Sequence, residues 1–148
     1  MLTKTLKSLF IRDLNKLKTE ITTYKAESNI WIVDQTISNS AGNLCLHLIG
    51  NLNTYIGATL GGTNYIRNRL LEFSLKNIPR AELIQKIDET LTVVTTTLDL
   101  LTIEQIENEY PLLVLEEKTS TEFFLVHLTT HLTYHLGQIN YHRRLLDL

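Results

Sequence analysis

The sequence predicts an all-α fold, a four-helix bundle with long crossover connections. Apolar residues recur at helical spacings of three and four over most of the 148 residues. Only Pro79, Pro111 and one pair of adjacent glycines, Gly61 and Gly62, punctuate that pattern. Polar residues gather on single stripes of two predicted helices, as expected where the helices of a bundle face one another around a site. We therefore expect one domain that spans residues 1–148.

The first predicted helix covers residues 3–24. Its core-facing residues are spaced by three and four: Leu6, Phe10, Leu14, Leu17, Ile21 and Tyr24. Residues 28–40 that follow have no regular period. We expect Trp31 and Ile32 to tuck this segment onto the bundle as a loop.

The second predicted helix is apolar almost all the way round, which is typical of a helix in the middle of a bundle. It begins near Ala41, after the candidate capping residues Asn39 and Ser40. Its polar residues form one seam within about 40° of a common direction: Asn43, His47, Asn51 and Thr54. A buried polar seam needs a partner on a facing helix.

Three further elements follow. Residues 65–73 form a short helical segment. Pro79 is suited to the first turn of a third long helix, which runs to about Leu100. The last helix starts at Ser120 or Thr121 and reaches nearly to the end of the chain.

Four of the five histidines lie on one stripe of this last helix: His127, His131, His135 and His142. Two histidines at i and i+4 are a common way to offer two neutral imidazoles to one metal ion. The alternative for such a pair is a row of partly exposed histidines that bond to neighbouring helices.

The fifth histidine, His47, belongs to the polar seam of the second helix and favours the metal. Together with His131 and His135 it would give three ligands and one open position, as in catalytic zinc sites. The alternative is a buried polar network without an ion. His127 and His142 lie too far along the helix to join the same ion, because each residue adds about 1.5 Å. We expect them near the rim of the site.

Composition limits the functional classes. Hydrophobic residues make up 43% and charged residues 20% of the chain, as in ordinary globular proteins. The net charge is −2 and no basic cluster is present, so nucleic-acid binding is not expected. No apolar run approaches the ~20 residues of a membrane span, and no targeting segment is recognised. The single cysteine, Cys45, is expected in the core, and we expect a cytoplasmic protein.

Three segments resemble the DinB/YfiT-like superfamily of four-helix-bundle metalloproteins. They are residues 43–52 (NLCLHLIGNL), 61–73 (GGTNYIRNRLLEF) and 131–138 (HLTYHLGQ). The resemblance implies a metal held by one histidine of the second helix, His47, and by an HxxxH pair, His131 and His135. One departure is Leu136, where many members carry a basic residue.

Other polar residues have two interpretations. Arg67, Arg69 and Glu72 match a pattern in one branch of the superfamily and could hold an anionic substrate over the metal. An ordinary surface pair between Arg69 and Glu72 is favoured instead, because i, i+3 pairs are common. Further candidates for lining the pocket or orienting a ligand are Asn43, Asn51 and Gln138. For Gln138, a hydrogen bond to another helix is an equally favoured alternative.

The predicted site suits a thiol better than water as the attacking group. Three neutral imidazoles leave the ion, zinc or nickel first, with its full charge, so that it can acidify a bound thiol. The histidine stripes carry no carboxylate to serve as a general base for water. The resemblance implies a thiol-dependent S-transferase that uses a low-molecular-weight thiol. The alternative is a non-catalytic metal- or ligand-binding bundle, such as a stress-response accessory protein.

We also expect a homodimer. Residues 57–73 and the outer face of the last helix, where Gly137 lacks a side chain, offer surface for self-association. Two-fold dimers are common in the resembled superfamily and are the commonest homo-oligomers.

Overall fold

The computed structural model describes residues 2–148, and helices account for its regular structure. Six α-helices have five residues or more: α1 Leu2–Thr23, α2 Ala41–Leu52, α3 Arg69–Ser74, α4 Arg80–Leu100, α5 Ile103–Glu107 and α6 Thr121–Leu146. A seventh α-helical segment, Thr59–Gly61, has only three residues. A 3₁₀ turn, Glu27–Trp31, precedes α2, and a π-helical turn, Asn53–Ala58, extends it. No strand occurs in residues 2–148, which confirms the predicted all-α class.

The directions of the four long helices follow from contacts between them. Near the start of α1, Lys7 pairs with Asp99 near the end of α4 at 2.6 Å, so these two helices are antiparallel. Near the end of α1, Glu20 pairs with Arg143 near the end of α6 at 2.6 Å, so α1 and α6 are parallel.

The second connection of the bundle is the one that shapes the site. α2 and α4 run parallel, since Gly57 packs against Val93 and Gly61 packs against Thr97. The chain must therefore return along the bundle between them, over residues 62–79. This crossover carries α3 and lies across α2.

The core confirms the predicted burial of α2 and of the apolar stripe on α1. Every residue from Ala41 to Leu52 is buried, Cys45 among them, and burial raises the pKa of the Cys45 thiol to about 12. Trp31 packs on Gly42, where a Cβ would lie 2.6 Å from its ring. None of the helices within residues 2–148 combines the length and the apolar content that crossing a bilayer requires.

The helix starts agree with the predicted capping residues. The Ser40 side chain accepts a hydrogen bond from the Asn43 amide, and the Ser120 side chain accepts one from the Phe123 amide. Both satisfy amide donors that the first turn of a helix leaves open. Pro79 was expected in the first turn of the third long helix. It is instead the N-cap residue, one position before α4 begins at Arg80.

Candidate metal centre

Three histidines from two helices come together as the sequence predicts. The Nε2 atom of His131 lies 3.3 Å from Nε2 of His47 and 3.2 Å from Nε2 of His135. All three ligand atoms are within 4.8 Å of one another. Tetrahedral zinc with N–metal bonds of ~2.1 Å requires N···N separations of about 3.4 Å. The arrangement could therefore hold one metal ion.

Hydrogen bonds at the far ring nitrogens fix which atoms of two histidines carry lone pairs. Nδ1 of His47 lies 3.1 Å from Glu72 Oε1, and an ionised carboxylate only accepts, so this nitrogen carries the proton. Nδ1 of His135 donates likewise to Gln138 Oε1 at 2.7 Å. The Nε2 atoms of both rings are then acceptors, and both point at His131. Gln138 thus hydrogen-bonds to a candidate ligand on its own helix.

His131 is the central ring of the three. Burial, together with the neighbouring rings of His135 and His47, lowers the pKa of His131 to about 4. The pKa of His135 is also lowered, chiefly by burial, although the hydrogen bond that it donates to Gln138 acts in the opposite direction. Near neutral pH both imidazoles are therefore uncharged, which is the form that binds a metal. Nδ1 of His131 is buried without a hydrogen-bond partner in residues 2–148.

Glu72 is a buried part of this centre, and the favoured prediction of an exposed Arg69–Glu72 pair is wrong. Its two oxygens accept from Arg67, with Nε to Oε2 at 2.8 Å and Nη2 to Oε1 at 2.9 Å. Burial alone would raise the pKa of Glu72, but hydrogen bonds from Arg67 and His47 lower it below its usual value. Arg67 Nη2 also lies 3.3 Å from His47 Nδ1. Both of these nitrogens carry hydrogen, so neither accepts a hydrogen bond from the other. They lie close together because both donate to Oε1 of Glu72. Carboxylates that hold metal-ligating histidines in this way are common in zinc sites.

Two residues of α2 create the place that Glu72 occupies. A Cβ on Gly50 would overlap the Glu72 carboxylate. The Asn43 side chain donates to the backbone oxygens of Glu72 and Leu75 at 2.9 and 2.8 Å. Asn43 therefore anchors α3 and does not line the pocket.

A cavity of about 370 Å³ opens beside His47 and His131. Its lining includes Asn51, Arg67, Arg69 and Tyr55. Tyr55 belongs to the π-helical turn that follows α2, a distortion found often at functional sites. The oxygen of the Asn51 side chain is buried and has no hydrogen-bond partner in residues 2–148. Asn51, Arg67 and Arg69 thus line one cavity beside two of the candidate ligands.

The remaining two histidines have different roles. His127 stacks on His131, with ring centroids 6.3 Å apart, and lines the cavity, as expected for the rim. His142 is buried away from the centre, and the expectation of a role near the site is wrong. It accepts from the Tyr24 hydroxyl at 2.7 Å and donates through Nε2 to the Ile32 carbonyl at 2.8 Å. These bonds tie the end of α6 to the first loop.

Sequence reasoning did not single out Gly50 or Tyr55. A glycine inside an otherwise apolar helix is a signal for close approach of another group, and Gly50 carried that signal. Nothing in the local pattern marks the π-helical turn that places Tyr55.

Comparison with known proteins supports the fold and gives no activity. A family described as "Protein of unknown function (DUF1572)" matches residues 4–147. This family has the DinB/YfiT-like fold, which confirms the resemblance at the level of the fold. No curated protein matches the chain.

A crystal structure described as that of a conserved protein from Enterococcus faecalis is similar over 97% of this chain and 96% of that chain. The TM-score is 0.74 at 15% sequence identity, so the likeness concerns the fold alone.

Proposed function

We propose that this chain, which belongs to the DUF1572 family, is a metal-dependent S-transferase that uses a low-molecular-weight thiol. His47, His131 and His135 would hold the ion, zinc or nickel first. The observation that carries the proposal is the convergence of their three Nε2 atoms beside an open cavity. A divalent ion in that position would lower the pKa of a thiol and so supply the nucleophile near neutral pH.

The carboxylate near the histidines supports a thiol over water as the attacking group. Both oxygens of Glu72 accept from Arg67, and one also accepts from His47. Its lowered pKa makes it a weak base for taking a proton from water. No acidic residue is among the described residues that line the cavity. The residues that line the cavity would position a bound thiol and the electrophile that it attacks, and none of them would serve as a carboxylate general base.

A turnover assay tests this proposal. Zinc-loaded protein is given a thiol and 1-chloro-2,4-dinitrobenzene, whose chloride leaves as sulfur bonds to the ring carbon and the thiol proton passes to solvent. We expect a rate above the uncatalysed reaction that disappears in the His131→Ala, His135→Ala double variant. If zinc binds but no thiol or electrophile in a panel is turned over, the non-catalytic binding bundle is favoured instead.

We also propose that the protein is a homodimer of about 34 kDa, two chains of 17.0 kDa. The support is an exposed apolar stripe along α6: Phe123, Val126, Tyr134, Tyr141 and Leu145. Gly137 lies within it, and a Cβ there would have no neighbour within 4 Å. Light scattering at micromolar concentration should give the dimer mass, and Tyr134→Lys should lower it, whereas Leu100→Lys on α4 should not. A monomeric wild type would contradict the proposal.

A further inference from the structure

The cavity beside the three histidines carries uncompensated positive charge. Two guanidinium groups, those of Arg67 and Arg69, line it. Among residues 2–148, Arg67 is paired with the buried Glu72, and Arg69 has no such partner. One positive charge therefore remains even before any metal is counted, and a ligand with an anionic group is favoured there.

Both arginines have donors to spare. Arg67 uses Nε and Nη2 on Glu72, and its Nη1 has no hydrogen-bond partner in residues 2–148. Arg69 forms no ion pair within the described part of the chain, and its guanidinium lies 5.7 Å above the ring of Phe73. That ring in turn packs 5.1 Å from the ring of His47. Arg69 is thus held close to the centre with its full set of five donors available.

A second observation indicates a polar ligand. The side chain of Asn51 is 7% exposed, lines the cavity, and has an oxygen without a partner among residues 2–148. Leaving a buried acceptor unpaired is costly, so native proteins nearly always satisfy such groups. A ligand with an N–H or O–H donor would satisfy this oxygen.

These groups line the same cavity of about 370 Å³, so they lie within reach of one small molecule. Nη2 of Arg67 is 3.3 Å from Nδ1 of His47, whose opposite nitrogen faces the other two histidines. If the sulfur of a thiol binds an ion held by the three Nε2 atoms, a carboxylate only a few bonds away from that sulfur would reach the arginines. Planar guanidinium forks match carboxylate geometry well.

We infer that the thiol used by this protein is of the amino-acid type, with a carboxylate bound by Arg69 and by Nη1 of Arg67 and an N–H donor directed at Asn51. This inference rests on the proposed function for the thiol itself. It adds a separate subsite that selects among thiols by charge.

Calorimetric titration of zinc-loaded protein with two matched thiols tests the subsite. N-acetylcysteine and N-acetylcysteine amide have nearly the same shape and the same N–H donor, but only the first carries a carboxylate. We expect the carboxylate form to bind roughly ten- to a hundredfold more tightly, as a charge-assisted bond to arginine would give. Arg69→Gln should abolish the preference. Arg144→Gln, which changes an arginine on the outer side of α6, should preserve it.

Arg67 is not the informative variant, because replacing it would also release Glu72. Equal affinity for the two thiols, or a preference that survives Arg69→Gln, would overturn the subsite and leave the thiol function standing. If neither thiol binds the zinc-loaded protein, both the subsite and the proposed function are wrong.

Discussion

At the scale of single residues, His47 is held by the most extensive set of side-chain bonds in the candidate centre. Its ring donates to Glu72, and Glu72 is itself fixed by two bonds from Arg67. A carboxylate behind a ligating histidine sets the ring's orientation and makes the metal-facing nitrogen more basic. The buried pair would therefore act on a bound ion through His47 and not by touching it.

Glu72→Gln tests that role, because glutamine keeps the shape and loses the charge. We expect zinc affinity to fall by about 10- to 100-fold, the usual effect of losing such a partner. Competition with a fluorescent chelator measures the affinity, and the exposed Glu117→Gln serves as the matched control. An affinity unchanged from wild type would show that Glu72 contributes only to packing.

At the scale of elements, the fit between α2 and α3 decides whether the centre can form. Gly50 has no side chain where the Glu72 carboxylate lies, and Asn43 fastens the end of α3 to α2. The crossover that bears α3 is thus positioned by two residues of the most deeply buried helix.

Gly50→Ala should therefore be destabilising although alanine favours helices. The added methyl overlaps Glu72, and overpacking of this kind costs about 1–3 kcal/mol. Gly137→Ala is the comparison variant and is measured in the monomer, because Gly137 lies on the proposed dimer surface. A Cβ there meets none of the described residues within 4 Å and should stabilise the helix by up to about 1 kcal/mol. Urea unfolding curves give both values. A stabilising Gly50→Ala would contradict this account of the α2–α3 contact.

The helices and the site differ in how well the sequence predicted them. Periodicity sufficed for the long helices and for the pairing of His47 with His131 and His135, because local spacing fixes which face a residue occupies. It did not suffice for Glu72, because the place of α3 depends on a crossover whose path is set by distant contacts. The i, i+3 neighbour Arg69 was the partner that local spacing favoured, whereas Arg67 is the partner that the fold supplies.

At the scale of the whole molecule, several buried histidines link folding to pH. Burial is the main cause of the lowered pKa values of His131, His135 and His142. Each of these side chains takes up a proton more readily in the unfolded chain than in the folded one. Stability should then be highest above the ordinary histidine pKa of about 6.5 and fall as the pH drops below it.

The metal-free protein should lose stability between about pH 6.5, the ordinary histidine pKa, and about 4, the pKa of His131 in the folded chain. Urea midpoints of chelator-treated wild type at pH 7 and pH 5 measure this loss. His131→Gln should show a smaller difference between the two pH values, because one titrating group is gone. A wild type that is more stable at pH 5 than at pH 7 would contradict the assigned direction.

The claim on which the rest depends is that one ion binds to His47, His131 and His135, and metal content measures it most directly. Protein equilibrated with zinc and freed of excess should contain about one ion per chain by elemental mass spectrometry. The His131→Ala, His135→Ala double variant should contain almost none, while His127→Ala, a change on the cavity rim, should keep its ion. Full zinc occupancy in the double variant would contradict the assignment.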